Sequence, residues 1–179
     1  MKKYAIPLAG VALLFVFYRL WKGGVMSNIG MKTSPNGIKA IQAHEGFRAV
    51  RYNDVAGYPT IGYGHKITAA DNIGNSITNE VAATLLAKDL EGAENTVKKN
   101  LRKQVTQNQF DALVSLVFNV GGAAFKNADG SATRLKKALD AGDWVGAQAA
   151  MQLFNRAGGV QVAALVKRRA DEASLFAVS

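Results

Sequence analysis

Apolar positions recur at three- and four-residue steps along most of this chain, which predicts a mostly helical protein. From Thr78 onward Val81, Leu85, Leu86, Leu90, Ala93 and Val97 fall on one stripe and predict a long helix opened by a threonine cap. Thr106 and Gln109 stand at capping-box spacing ahead of a second stripe, Phe110, Leu113, Val114 and Val117. Residues 131–141, stopped by Gly142, then 143–154, then 161–176 read as three further helices. Nearer the front, Ser34-Pro35 marks a helix start, Ile38, Ala40 and Ile41 give its apolar face, and Gly46 follows as its stop. Between these helical stretches the period changes. Residues 48–52 and 60–64 read as two short strands around a 53–57 loop, with Gly62 and Gly64 marking a bulge or a close approach of ligand to backbone. The expected fold class is α+β: mostly helical, with a small antiparallel sheet.

The N-terminus departs from this amphipathic pattern. Lys2-Lys3 precedes an uncharged stretch from Tyr4 to Tyr18, and Arg19, Leu20 and Trp21 close it. The stretch is shorter than the roughly 20 residues of an ordinary membrane span, but Arg19 can snorkel and Trp21 can sit at the interface. Residues 1–21 are therefore expected to be an uncleaved membrane segment, a signal-anchor. A cleaved signal peptide is the rival, though no small-x-small site follows; a peripheral or buried helix is a third reading. Residues 22–34, with Gly23, Gly24, Ser27, Asn28 and Gly30, read as a flexible linker, and 35–179 as the folded domain. Met31 offers an alternative start.

Composition narrows the function classes. The domain is long enough for one sizeable core. With no cysteine there is neither a disulfide framework nor a thiolate nucleophile, and the two histidines, His44 and His65, stand in no metal-ligand spacing. No cofactor and no metal are expected, and no phosphate-binding glycine loop is present. The formal net charge of +9 favours anionic polymers, and nearly half of it comes from Lys2, Lys3, Arg19 and Lys22. Charge alone leaves nucleic acid open, but no nucleic-acid motif accompanies it, and no nucleic-acid partner is expected.

The chemistry lies in Glu45, Asp54 and Thr60, spaced Glu-x8-Asp-x5-Thr on short elements joined by glycine turns. Breaking a glycosidic bond needs one carboxylic acid to protonate the leaving oxygen and a second carboxylate to stabilise the cation or manage the water. Glu45 would sit at the C-terminal end of a helix, where the macrodipole disfavours an anion by roughly 0.3–1 kcal/mol. Burial beside Phe47 is expected to raise its pKa further, as suits a general acid. Taken singly, each residue has a plainer use: Glu45 as a solvated helix end, Asp54 as a turn former, Thr60 as a strand residue, His65 as a structural histidine paired with a carboxylate. Together they point to one cleft.

The segment from Glu45 to His65, with its Thr60-Ile61-Gly62-Tyr63-Gly64-His65 run, resembles the active-site region of the phage-type lysozymes, the endolysin muramidases of glycoside hydrolase family 24. The likeness continues through Gln107 to Leu113, Phe118-Asn119-Val120-Gly121, Asn155 to Gly159 and Leu165 to Arg169, and covers about residues 31–179. The resemblance implies a lysozyme-like fold and a muramidase acting on peptidoglycan glycan strands. In it Glu45 is the general acid, Asp54 orients water or stabilises the cation, and Thr60 holds the nucleophilic water. It also implies that Phe118 packs against substrate and that Arg168 lies near the catalytic glutamate, an assignment that could slip by one to Arg169. Phe154 stands where the family often has tryptophan. Inversion would follow, with the carboxyl groups about 6.5–9.5 Å apart.

A monomer is expected, anchored in the bacterial inner membrane, or in a phage internal membrane, through residues 4–21. Its domain would lie on the periplasmic side of the host inner membrane or be associated with the virion. The anchor could be released, as in signal-arrest-release endolysins, or permanent. Two alternatives remain: a lytic transglycosylase, for which Asp54 and Thr60 are superfluous, and a catalytically dead peptidoglycan-binding protein, for which Glu45 is.

Overall fold

The computed structural model describes residues 28–54 and 56–177. The expected membrane segment, 1–21, lies outside the described residues, as does the first part of the linker. Among the described residues no helix is long and apolar enough to cross a membrane.

Helix α1 spans Pro35–Glu45, with Ser34 capping the Gly37 N–H and Gly46, at φ 71°, ending it. Its start is pinned to a later helix by Asp111, which accepts from the Ser34 backbone N–H at 2.9 Å and from the Ser34 hydroxyl. Gly37 makes that approach possible: a Cβ there would lie 2.5 Å from Asp111 Cγ. Strands β1 (Arg48–Asn53), β2 (Pro59–Gly62) and β3 (His65–Lys66) form an antiparallel sheet in that order. The register places Tyr52 opposite Thr60 and Thr60 opposite Lys66.

Helix α2 (Asn79–Asn100) begins at the Thr78 cap. Its buried seam is Ala82, Leu86, Leu90, Ala93 and Val97; Val81, expected on that stripe, is exposed because the seam starts one residue later. Helix α3 (Gln107–Val120) has the expected Thr106–Gln109 capping box and is buried without a break from Phe110 to Val117. An unbroken buried run marks a central helix, and α3 packs against α1, α2 and the last helix. A 3₁₀ turn, Gly121–Ala124, follows it.

Helices α4 (Arg134–Ala141) and α5 (Trp144–Met151) start at Thr133 and Asp143, whose side chains cap them. Both are shorter than the period suggests: residues near 131 are drawn into a turn closed by the Lys126–Ala132 bridge, and α5 ends in a turn in which the Leu153 and Phe154 N–H groups donate to the Ala150 and Met151 carbonyls. Strands β4 (Arg156–Ala157) and β5 (Val160–Gln161) form a small hairpin, so the last helix, α6 (Ala163–Ala177), begins two residues after the expected position 161.

Residues 28–34 correct the linker boundary, since they are bound to the domain. Asn28 is buried, donates to the Lys103 carbonyl at 2.8 Å and accepts from the Val105 N–H at 3.3 Å. Thr33 gives both its backbone N–H and its hydroxyl to Glu94 Oε1, at 2.8 and 2.9 Å. These buried partners fix the segment, and a glycine-containing stretch with such anchors is not a free tether.

Candidate active site

Glu45 is the last residue of α1, and the Gly46 turn directs the chain from it into β1. Its Oε1 accepts from Arg168 Nη1 at 2.7 Å, an arginine of α6 that lies 123 residues along the chain. Phe47, the expected cover for Glu45, has a ring that is 39% exposed and packs on Tyr63, 5.6 Å between centroids. The side-chain partner the structure gives Glu45 is a guanidinium.

Arg168 rather than Arg169 reaches Glu45. Its other nitrogens are also engaged, Nε with Glu172 Oε1 at 3.2 Å and Nη2 with the Ser115 carbonyl at 3.3 Å. Arg169 turns inward to Glu172 Oε1 at 2.8 Å and to the Phe154 carbonyl at 3.5 Å. Burial pushes the Glu172 carboxyl up, against the pull of Arg169, Ser115 and Arg168.

Asp54 ends β1 and shapes the turn after it. Its Oδ1 accepts from the Ala56 and Tyr58 N–H groups, both at 2.9 Å, and its own N–H donates to the Tyr58 carbonyl at 2.9 Å. The plain role of turn former is thus filled by Oδ1, while Oδ2 faces Lys66 Nζ at 3.5 Å. The Tyr58 N–H holds the Asp54 carboxyl below the usual range, with help from Ala56 and Lys66 and against some desolvation.

Thr60 is 2% exposed, and its hydroxyl donates to the Tyr58 carbonyl at 2.9 Å. One carbonyl oxygen thereby receives both the Asp54 N–H and the Thr60 O–H. With its hydrogen committed, Thr60 Oγ1 has lone pairs left to accept a hydrogen bond from a water. Lys66 sits across the strands from Thr60, its ammonium 4.4 Å above the Tyr58 ring.

His65 supports this corner of the molecule. Its Nδ1 lies 2.9 Å from Asp89 Oδ2 on α2, and its Nε2 lies 3.4 Å from Asp71 Oδ2. The Thr68 hydroxyl and N–H, followed by His65, bring the Asp71 carboxyl down to about 2. The imidazole therefore ties β3 to α2 and to the 68–71 turn. Phe118, near the end of α3, is half-buried against the apolar core.

A cavity of about 660 Å³ lies elsewhere, walled by Val105, Trp144, Val145 and Phe176, and among the described residues no titratable side chain lines it. Glu45, Asp54 and Thr60 with Arg168 form the better candidate. Lys66, Ser115 and Glu172 were not legible as parts of it, although Glu172 stands at the i+4 position from Arg168, a helical ion-pair spacing.

Comparison with known proteins bears on this site. A sequence model of the phage lysozyme family matches residues 42–172, which include all three candidate residues. The endolysin of Acyrthosiphon pisum secondary endosymbiont phage 1 is 38% identical over 150 residues, 82% of this chain and 98% of that protein. The SAR-endolysin of Haemophilus phage HP1 is 28% identical and covers 97% of each chain. Among solved structures, the muramidase domain of SpmX from Asticaccaulis excentricus superposes with a TM-score of 0.71 at 34% identity, covering 83% of this chain and 99% of that one. With the family model spanning most of the folded domain, the chain belongs to the phage lysozyme family.

Proposed function

We propose that this protein is a muramidase that hydrolyses the β-1,4 bond between N-acetylmuramic acid and N-acetylglucosamine in peptidoglycan. The observation that carries the proposal is how its two carboxylates are held. Backbone N–H donors keep Asp54 below the usual carboxylate range beside a hydroxyl oriented by the same turn, while Arg168 fixes Glu45 at the end of α1. Asp54, ionised, suits the base of the pair, and Glu45 is the carboxyl group left for the acid. Glu45 delivers its proton to the glycosidic oxygen, which leaves with that proton. A water held by Thr60 attacks the anomeric carbon from the far face, and Asp54 takes up the proton it sheds. Attack from the far face inverts the anomeric centre. The likeness to a muramidase domain supports the substrate class.

Glu45→Gln tests the assignment, because it keeps the shape and removes the proton. Glycan cleavage is expected to fall by about 10²–10⁴-fold, the range of a general acid, while co-sedimentation with insoluble peptidoglycan persists. Undiminished cleavage would sink the role given to Glu45.

The N-terminal stretch from Tyr4 to Tyr18 is proposed to hold the enzyme at the membrane with its domain on the periplasmic side. Lys2 and Lys3 on the inner side favour that orientation, and likeness to a SAR-endolysin along nearly the whole chain supports it. Carbonate washing of membranes is expected to leave the protein in the pellet. Its recovery in the wash would contradict an anchor.

A further inference from the structure

Behind Glu45 lies a buried charged cluster made by α3 and α6. Arg168, Arg169, Glu172 and Ser115 are each 5% exposed or less. One atom, Glu172 Oε1, receives Ser115 Oγ at 2.7 Å, Arg169 Nη2 at 2.8 Å and Arg168 Nε at 3.2 Å. Arg168 has three nitrogens and three acceptors: Glu172 on Nε, the Ser115 carbonyl on Nη2 and Glu45 on Nη1. A guanidinium is planar, so fixing two corners fixes the third.

Stability is a weak reason for such a cluster, since apolar residues of similar volume often hold helices as well as a buried ion pair. Its geometry has a direction, however, because the chain of donors runs from the interior outward to the one carboxylate assigned the acid's role. We propose that Glu172, with Ser115, is a positioning residue for the reaction: it locks the Arg168 guanidinium and so fixes where Glu45 stands and the charge it faces. The proposal rests on the reading of Glu45 as the general acid. With both glutamates ionised the four charges balance. Without Glu172, two guanidiniums oppose Glu45 alone. His44 on α1 lies 3.6 Å from Asp171, itself 2.6 Å from Lys167, and burial, followed by the charge of Arg168, holds its imidazole below the usual range.

The test uses the full chain in mild detergent, as wild type, Glu45→Gln, Glu172→Gln and Ser115→Ala, with rates on soluble peptidoglycan fragments measured across pH and melting followed in parallel. Glu172→Gln is expected to lower kcat by about 10- to 100-fold, the scale of a misplaced catalytic group, with KM little changed. It should also move the alkaline limb of the pH–rate profile to lower pH, because the added positive field favours loss of the acid's proton. Ser115→Ala, which removes one donor from Glu172, should move both readouts the same way by less. A folded Glu172→Gln protein with wild-type kcat and an unmoved alkaline limb overturns the proposal, whatever its melting temperature. If Glu172→Gln does not fold, Ser115→Ala decides, and an unmoved profile there overturns it as well. An unimpaired Glu45→Gln protein overturns the underlying assignment too, and that outcome is distinct from the others.

Discussion

Asp54 does two jobs with two oxygens: one closes a turn, and the other faces Lys66, the residue paired with Thr60 across β2 and β3. Its lowered pKa means that it stays anionic to lower pH than an ordinary aspartate. The Tyr58 N–H is the main cause and Lys66 a smaller one, and Lys66 is the one that mutation can remove. Lys66→Gln should therefore raise the Asp54 pKa slightly and move the acid limb of the pH–activity profile upward. An acid limb that stays in place, or moves down, would contradict the role given to Asp54. At this scale the spacing of Glu45, Asp54 and Thr60 was legible because local turns bring its last two members together. Lys66 was not, because its place depends on register across two strand pairs. The choice of Arg168 over Arg169 required the azimuth of α6 against α1, and the packing of Phe47 on Tyr63 required the return of the chain through β2.

Caps and stops of the helices were legible because they are contacts within four residues: Ser34, Thr78 and Thr106 each cap where the side-chain chemistry says they should. The two-residue strands β3, β4 and β5 were not, since a pair of residues carries no period. Gly62 shows what the sheet requires of its neighbours. Its φ is 67°, and an added Cβ would lie 3.0 Å from Ala82 Cβ on α2 and 3.3 Å from Ile77 Cδ1. It marks a close approach of helix to strand, and it also borders the irregularity of the sheet, which lies between the Arg48–Gly62 and Tyr52–Thr60 pairs, so the expected bulge falls beside it. Gly62→Ala combines left-handed strain with overpacking and should destabilise the fold by roughly 1–3 kcal/mol, read by urea denaturation. A variant as stable as wild type would mean that α2 sits less tightly on the sheet than described.

Across the whole molecule, α3 is the post around which α1, α2 and α6 gather, and the candidate residues lie where α1 ends and the sheet begins. Two long-range links hold that arrangement: Arg168 to Glu45 from α6, and His65 to Asp89 from the sheet to α2. Neither is visible as a pattern in the chain, since each joins residues far apart in sequence. The general architecture was legible, because a helical period over most of the length and a short strand pair leave few packings. The front edge of the domain was placed too late, because Asn28 and Thr33 look like linker residues until their buried partners near Lys103 and at Glu94 are seen. In the mechanism proposed for Glu45, Asp54 and Thr60, water cleaves a glycan. The measurement that meets this claim most directly is mass spectrometry of fragments released from peptidoglycan by the purified full chain. Reducing N-acetylmuramic acid ends are the predicted result. Anhydro ends would contradict it by removing water, and with it Asp54 and Thr60, from the chemistry; no fragments at all would reduce the protein to a binder.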